Sequence, residues 1–342
     1  MQSGNNQFTD EMFNLSADKD LNLEVDKLFH YYRNLGYPNY SINNYSLKKE
    51  YDKLCDFDTS QIVEDRTIKQ NLIGAGILWT YFPHWIEVKC GKDKRSLLEL
   101  WNDDDELKKL IRKTYVWKLK HNEPHWTHNR IRQNAKVFLS GQSVSNFRPT
   151  VAKYIYDKYG SFGRVLDMSA GFGGRMFGFS ASSCYEYVGF DPSTKTYEGL
   201  EELKNDLIPL CNKKIEVYKK ESQWYYPEYY NYFDLCFTSP PYFDTEKYSE
   251  EETQSYKRYP TLNDWLEQFL KPMIYCCYDY LVKYGKLVIN IANTSQYNNL
   301  EENTINYALG VGFNLKEVLK MEMSSISGKQ RKIEPIFVFE KK

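Results

Sequence analysis

The chain has 342 residues, with 45 basic against 46 acidic side chains and a formal net charge of −1. That balance excludes a globally basic surface and leaves any nucleic-acid contact to local patches. Its seven cysteines show no C-x-x-C pair, and no signal peptide or membrane-length apolar run is present; a cytoplasmic protein with reduced thiols is expected.

In chain order, residues 1–145 read as mainly helical and irregular. DKLFHYYRNLGY (26–37), SLKKEYDKL (46–54) and LLELWNDDDELKKLIRKTYVWKLK (97–120) have amphipathic spacing without strand-and-turn alternation. Toward the end of this region basic residues, among them Lys118, Lys120, Arg130 and Arg132, interleave with Tyr115, Trp117 and Trp126. Two readings stay open: a face for phosphates and bases, or a solvated helix face with its aromatics in the core. His121, His125 and His128 have only Glu123 nearby to complete a ligand set, so no metal is expected.

From about residue 150 the texture changes. RVLDMS, YEYVGFD, KIEVYKK, FDLCFTS, KLVINIA, LKEVLKMEM and PIFVFEK read as strands, and helical segments fall between most of them. The alternation predicts an α/β, Rossmann-like domain over 146–342, with a mostly parallel seven-stranded sheet between helices. The last two strands follow each other directly, which predicts an antiparallel C-terminal hairpin at one edge.

RVLDMSAGFGGRMFG runs from the first strand through a glycine-rich turn into a helix. Gly171, Gly173 and Gly174 are expected to let backbone approach a ligand. Asp167 ends the strand, and Asp191 ends the next one, where a carboxylate can take two ribose hydroxyls. Gly178 falls one position late for a dinucleotide pattern. D-x-x-x-G-x-G suits S-adenosylmethionine better, since that ligand has no phosphate and its ammonium needs an acceptor. Further on, FTSPPY ends a strand with two prolines, which remove two donors and force a turn that presents Ser239 and Tyr242.

The order LDMSAGFGG, VGFDPS, FTSPPY resembles the amino-methyltransferase family that modifies N4 of cytosine or N6 of adenine in DNA. FRPTVAKYIYDKYG resembles a cofactor-side motif of permuted members. TSPPYFDTEKYSEEETQS resembles proteins common in bacteriophages and mobile elements, which implies a setting in restriction–modification or in evasion of phage defence. The resemblance implies a methyltransferase fold over 146–342 and S-adenosylmethionine as cofactor, bound by Asp167, Gly171, Gly173, Asp191 and Ser239. The family usually has an aromatic residue where Ser169 stands, so contact with the methionine part passes to Phe147 or Phe172.

The same resemblance assigns catalysis to Ser239, Pro240, Pro241 and Tyr242. The Ser239 side chain and Pro240 carbonyl face the amine, and the Tyr242 ring, rather than its hydroxyl, stacks on a flipped base. Serine at 239 favours cytosine N4 over adenine N6. Asp244, Glu246, Asn290 and Asn293 are further candidates for orienting the base. Lys118, Lys120, Arg130 and Arg132, with Lys329 and Arg331 of a second basic loop, are the candidate DNA contacts, and residues 1–145 a candidate target-recognition region. Two other classes stay open: an RNA base-amine methyltransferase, and a catalytically silent protein that binds nucleic acid or another protein.

Overall fold

Residues 15–16, 19–41, 46–90, 95–139, 144–323 and 332–342 are described by the computed structural model, and the chain crosses between two units. One comprises residues 1–39 and 86–144, the other 40–85 and 145–342. Chain order begins with α1 (Leu21–Leu35) in the first unit. Then come α2 (Leu47–Asp56), the short strands β1 (Val63–Glu64) and β2 (Thr67–Ile68), and α3 (Ala75–Tyr81) in the second. The first unit resumes with β3 (Lys89–Cys90), α4 (Leu97–Asn102), α5 (Asp104–Lys120) and α6 (His128–Phe138).

The amphipathic stretch 97–120 is broken at Asp103. Its extended backbone stops α4, and its side chain accepts from the Glu106 N–H to cap α5. Aromatic rings fill the core of this unit. Tyr32, Trp101, Tyr115 and Trp126 are buried, and the Trp126 indole donates to the Tyr32 hydroxyl at 2.8 Å, so both polar tips are satisfied away from water.

In the second unit α7 (Pro149–Tyr159) leads into β4 (Arg164–Asp167), α8 (Gly174–Ser180), β5 (Glu186–Phe190), α9 (Thr194–Cys211), β6 (Lys214–Tyr218) and β7 (Phe233–Thr238). After β8 (Glu246–Lys247) come α10 (Ser255–Arg258) and α11 (Leu262–Trp265), which continues through a π-helical turn into α12 (Lys271–Tyr280). β9 (Leu281–Asn290), α13 (Leu300–Val311), β10 (Phe313–Glu322) and β11 (Ile333–Lys341) complete it.

All seven expected strands lie in one sheet of order β1-β2-β10-β11-β9-β7-β4-β5-β6. β6, β5, β4, β7 and β9 run parallel; β11 lies antiparallel between β9 and β10. This is a Rossmann-like α/β sheet with the antiparallel C-terminal strands of the expected class. The sheet has nine strands rather than seven, because β2 adds parallel to β10 through Thr67 and Ile68 and β1 pairs with β2. Two-residue strands carry no readable period. They help to bind residues 40–85 to the second unit, as does α3 on α9, where a Cβ at Gly199 would sit 2.6 Å from the Tyr81 carbonyl.

The chain winds outward from β4 through β5 and β6 on one side and from β7 to β9 on the other. Where the winding reverses, a crevice opens at the carboxyl ends of the strands. The glycine turn after β4, Asp191 after β5 and Ser239 after β7 all fall there.

Candidate active site

A cleft of about 1270 Å³, part of it open to solvent, occupies that crevice. Phe147, Ser169, Gly171, Phe172, Asp191, Ser239, Pro240, Pro241 and Tyr242 all line it, so residues spread over nearly a hundred positions share one wall. Asp167 and Gly173 do not line it.

Asp167 requires a correction. Its carboxylate is fully buried and accepts from Arg175 Nε at 2.7 Å, the Tyr187 hydroxyl at 3.0 Å and the Ser169 N–H at 3.1 Å. Those bonds turn it away from any ligand ammonium. Burial works against the Arg175 cation, but the charge and hydrogen bond of Asp167, with Tyr187 and Tyr156, together offset it and raise the guanidinium pKa. The side chain that reaches the cleft from this pair is Arg175, which also donates to the Ser169 carbonyl. The sequence reading passed over it.

The glycines divide by role. Gly171 has φ +55°, and a Cβ there would meet only the Ser169 carbonyl, at 3.7 Å; the space above it is open, as ligand approach requires. A Cβ at Gly174 would lie 2.0 Å from the Phe147 carbonyl, so Gly174 serves contact between two chain segments instead.

Asp191 accepts through Oδ2 from the Gly171 N–H and through Oδ1 from the Ser193 N–H, both at 3.0 Å. Burial pushes its carboxyl up to about 7, although both backbone bonds pull the other way. Each oxygen keeps a lone pair for an incoming hydroxyl. The Ser193 hydroxyl beside it is buried and has no partner among the described residues. An acceptor pair, an orphaned hydroxyl and open space over Gly171 fit a ligand with a sugar diol. Phe172 closes this end, its ring among Trp79, Phe82 and His84 at 5.5, 5.6 and 5.6 Å. Phe147 stands edge-on to Phe237 at 5.4 Å.

At the other end the turn after β7 meets the start of β11. The Ser239 hydroxyl donates to Asn290 Oδ1 at 3.4 Å. The Asn290 amide donates to the Pro335 carbonyl at 3.0 Å, which fixes its orientation. The Tyr242 hydroxyl donates to Glu334 at 3.2 Å, and Lys332 pairs with Glu334 at 2.9 Å. Glu246 lines the cleft and accepts from the Tyr248 hydroxyl. Asp244 does not line it, since its carboxylate takes the Tyr297 hydroxyl at 2.5 Å. Asn293 accepts from the Glu301 N–H in the first turn of α13. Gln70 and Arg148 were missed by sequence reading; both line the cleft, and Arg148 Nε donates to Gln70 at 3.2 Å.

Two of the four basic residues singled out in the first unit, Lys118 and Arg132, turn inward. The Lys118 side chain is 2% exposed and pairs with Glu123 at 3.1 Å. Arg132 is buried and donates to the Pro38 and Asn39 carbonyls at 2.9 and 3.3 Å. Arg130 is held by Glu123 at 2.6 Å and lies over the Trp117 ring at 4.1 Å. Lys120 is exposed. Tyr115 and Trp126 belong to the core. Lys329 and Arg331 lie outside the described residues. Among the described residues no group of three His, Cys, Asp or Glu side chains is placed to hold a metal ion, and no helix is long and apolar enough to cross a membrane.

No protein-family model and no curated protein matches the chain. Solved structures do. A [4+2]-cyclase, SpnF, is 11% identical at a TM-score of 0.41, over 56% of this chain and 81% of its own. TrmN from Thermus thermophilus is 16% identical at 0.40 over 57% of this chain, which spans 49% of TrmN. A SAM-dependent methyltransferase from Methanosarcina mazei is 11% identical at 0.40, over 55% of this chain and 96% of its own. Likenesses at this level identify neither a substrate nor a reaction.

Proposed function

We propose that this protein transfers a methyl group from S-adenosylmethionine to an exocyclic amine of a DNA base, N4 of cytosine ahead of N6 of adenine. The observation that carries the reading is the single cleft joining Gly171 and Asp191 at one end to Ser239, Pro240 and Tyr242 at the other. The cofactor supplies an electrophilic methyl carbon on a sulfonium. Asp191 takes the ribose hydroxyls, and Phe147 and Phe172 flank the rest of the ligand.

An exocyclic base amine is a weak nucleophile because its lone pair is delocalised into the ring. Asn290 accepts the Ser239 hydroxyl hydrogen, which leaves the Ser239 oxygen to accept from the amine, with the Pro240 carbonyl as second acceptor. Two acceptors favour a pyramidal nitrogen whose lone pair points at the methyl group. The Tyr242 ring stacks on the flipped base. A C–N bond forms as the C–S bond breaks, and the amine proton leaves to water. Orientation supplies much of the acceleration. Serine at 239 is the feature that favours cytosine.

Incubation with methyl-labelled cofactor and separate DNA and RNA pools, followed by nucleoside digestion, tests the reading. Label in N4-methylcytosine is expected. Label confined to RNA, or no transfer to either pool, overturns it.

A further inference from the structure

The chain that carries Ser239 to Tyr242 does not stop at the acceptor end. Tyr248, Thr253, Gln254 and Ser255 also line the cleft, so the following segment runs back along it toward the cofactor end. Both feet of that segment stand on one residue, Trp265, which is fully buried. At the first foot Phe243 has a left-handed backbone (φ +56°), and its buried ring lies 6.0 Å from that of Trp265. At the second, the Trp265 indole donates to the Ser255 hydroxyl at 3.0 Å. Residues 244–254 are therefore an arch with its ends close together, the build of a compact Ω-loop.

The arch is fastened to the start of α9. One Glu251 carboxylate oxygen accepts from the Thr194 N–H at 2.9 Å, and the other accepts from the Thr194 hydroxyl at 2.7 Å. Lys219, just past β6, donates to the same hydroxyl and lies 3.8 Å from the carboxylate. Burial pushes the Glu251 carboxyl up, but the bonds from Thr194 and then the Lys219 charge outweigh it and keep the group ionised. A carboxylate on the first N–H of an 18-residue helix is favoured by the helix dipole as well. Nearby, the Thr253 hydroxyl donates to the Pro192 carbonyl at 3.3 Å, and the Tyr248 ring lies 5.9 Å from Phe172 of the glycine turn. Pro192 and Thr194 follow Asp191 in the chain, so the arch is tied down beside the group that takes the ribose. Glu251 itself does not line the cleft, and methyl transfer to an amine has no use for it.

We propose that residues 244–254 are a lid over the bound cofactor and that Glu251, acting through Thr194, is its latch. This rests on S-adenosylmethionine as the ligand of the cleft. With the latch made, the arch and the glycine turn enclose the nucleoside from two sides. With it released, the arch lifts from the cofactor end while both feet stay on Trp265. Cofactor enters and spent cofactor leaves by that motion. Glu251 is thus a positioning residue that governs residence time rather than the methyl-transfer step.

The test follows labelled S-adenosylhomocysteine as it is chased off the wild-type protein, Glu251→Ala, Glu251→Gln and Thr194→Val. Dissociation is expected to be about tenfold faster in Glu251→Ala, the scale of one charge-assisted hydrogen bond. Glu251→Gln keeps one acceptor and Thr194→Val keeps the backbone bond, so both should fall between. Glu251→Ala combined with Thr194→Val should be no faster than Glu251→Ala alone. KM for S-adenosylmethionine should rise with the dissociation rate, while turnover at saturating cofactor should not fall. Hydrogen exchange gives a second readout. Amides of 244–254 should exchange faster in Glu251→Ala, and more slowly in the wild-type protein once S-adenosylhomocysteine is bound. If Glu251→Ala fails to fold, Thr194→Val and the wild-type exchange measurement decide. Unchanged dissociation in the variants, or exchange over 244–254 that ignores S-adenosylhomocysteine, overturns the lid while the cofactor reading stands. A wild-type protein that binds no S-adenosylhomocysteine overturns both.

Discussion

The Tyr242 hydroxyl donates to Glu334 at 3.2 Å across 92 residues of chain, so the ring expected to stack on the base is held by its polar tip. On that proposal the ring is the stacking surface, and Glu334, itself fixed by Lys332 at 2.9 Å, holds its angle. Tyr242→Phe keeps the ring and loses the tether; turnover should fall about tenfold, while Tyr242→Ala should fall a hundredfold or more. Glu334→Ala should match Tyr242→Phe, and the double variant should be no worse than either single one. Steady-state kinetics decide this, and a fully active Tyr242→Phe would remove the tether from the mechanism.

If Asp191 takes the ribose as proposed, cofactor affinity should depend on pH. With its carboxyl raised to about 7, its contribution to stability is complete below the unfolded value of about 4. It is lost as pH rises through about 7. A ribose donating two hydroxyls needs the ionised form. S-Adenosylmethionine should therefore release a proton on binding, with affinity climbing about tenfold per pH unit from 5 toward 7 and level above. Calorimetry in buffers of different ionisation heat reads that proton. At pH 8 Asp191→Ala should weaken binding by about tenfold to a hundredfold, with a flat pH profile.

The buried Asp167–Arg175 pair, 2.7 Å apart, is expected to act through folding. Arg175→Ala strands a buried carboxylate and should cost about 3–5 kcal/mol in a denaturant melt. Replacing both partners, Asp167→Asn with Arg175→Met, should cost less than Arg175→Ala alone. A double variant worse than that single one would mean the pair is worth more than its desolvation.

In the first unit, Lys120→Glu and Arg132→Glu should part company. Lys120 is exposed, so its reversal should move the melt by less than about 0.5 kcal/mol. The slope of log DNA affinity against log salt should drop by roughly 0.9. Arg132→Glu removes the donors to Pro38 and Asn39 and buries an unpaired acid, so it should unfold this unit. An unchanged salt slope in Lys120→Glu takes that residue off the interface.

The seven longer strands of the second unit were legible because each is an apolar run between turn residues, and the glycine turn because its spacing is local. The bond from Tyr242 to Glu334 was not, since a pairing across 92 residues depends on which strands become neighbours. Asp167 and Arg175 are eight residues apart on a strand and the following helix. Either could have turned to the cleft, and sequence does not say which. Lys118 and Arg132 looked like surface charge because a long aliphatic stem can be buried while its head finds a partner. Gln70 sits just beyond a two-residue strand that only the sheet edge reveals.

The position of β11 has a consequence for how the protein comes into being. It is the last of these strands in chain order, yet it lies between β9 and β10. A nascent chain that has emerged through β10 exposes facing backbone edges on β9 and β10, with nothing to join them until residues 333–341 leave the ribosome. Such late, long-range closure is slow and leaves sticky edges open meanwhile. Glu334 and Pro335, the partners of Tyr242 and Asn290, arrive with that same segment. A chain synthesised only as far as β10 can therefore hold no finished acceptor end, and the pocket forms only after translation has passed through β11.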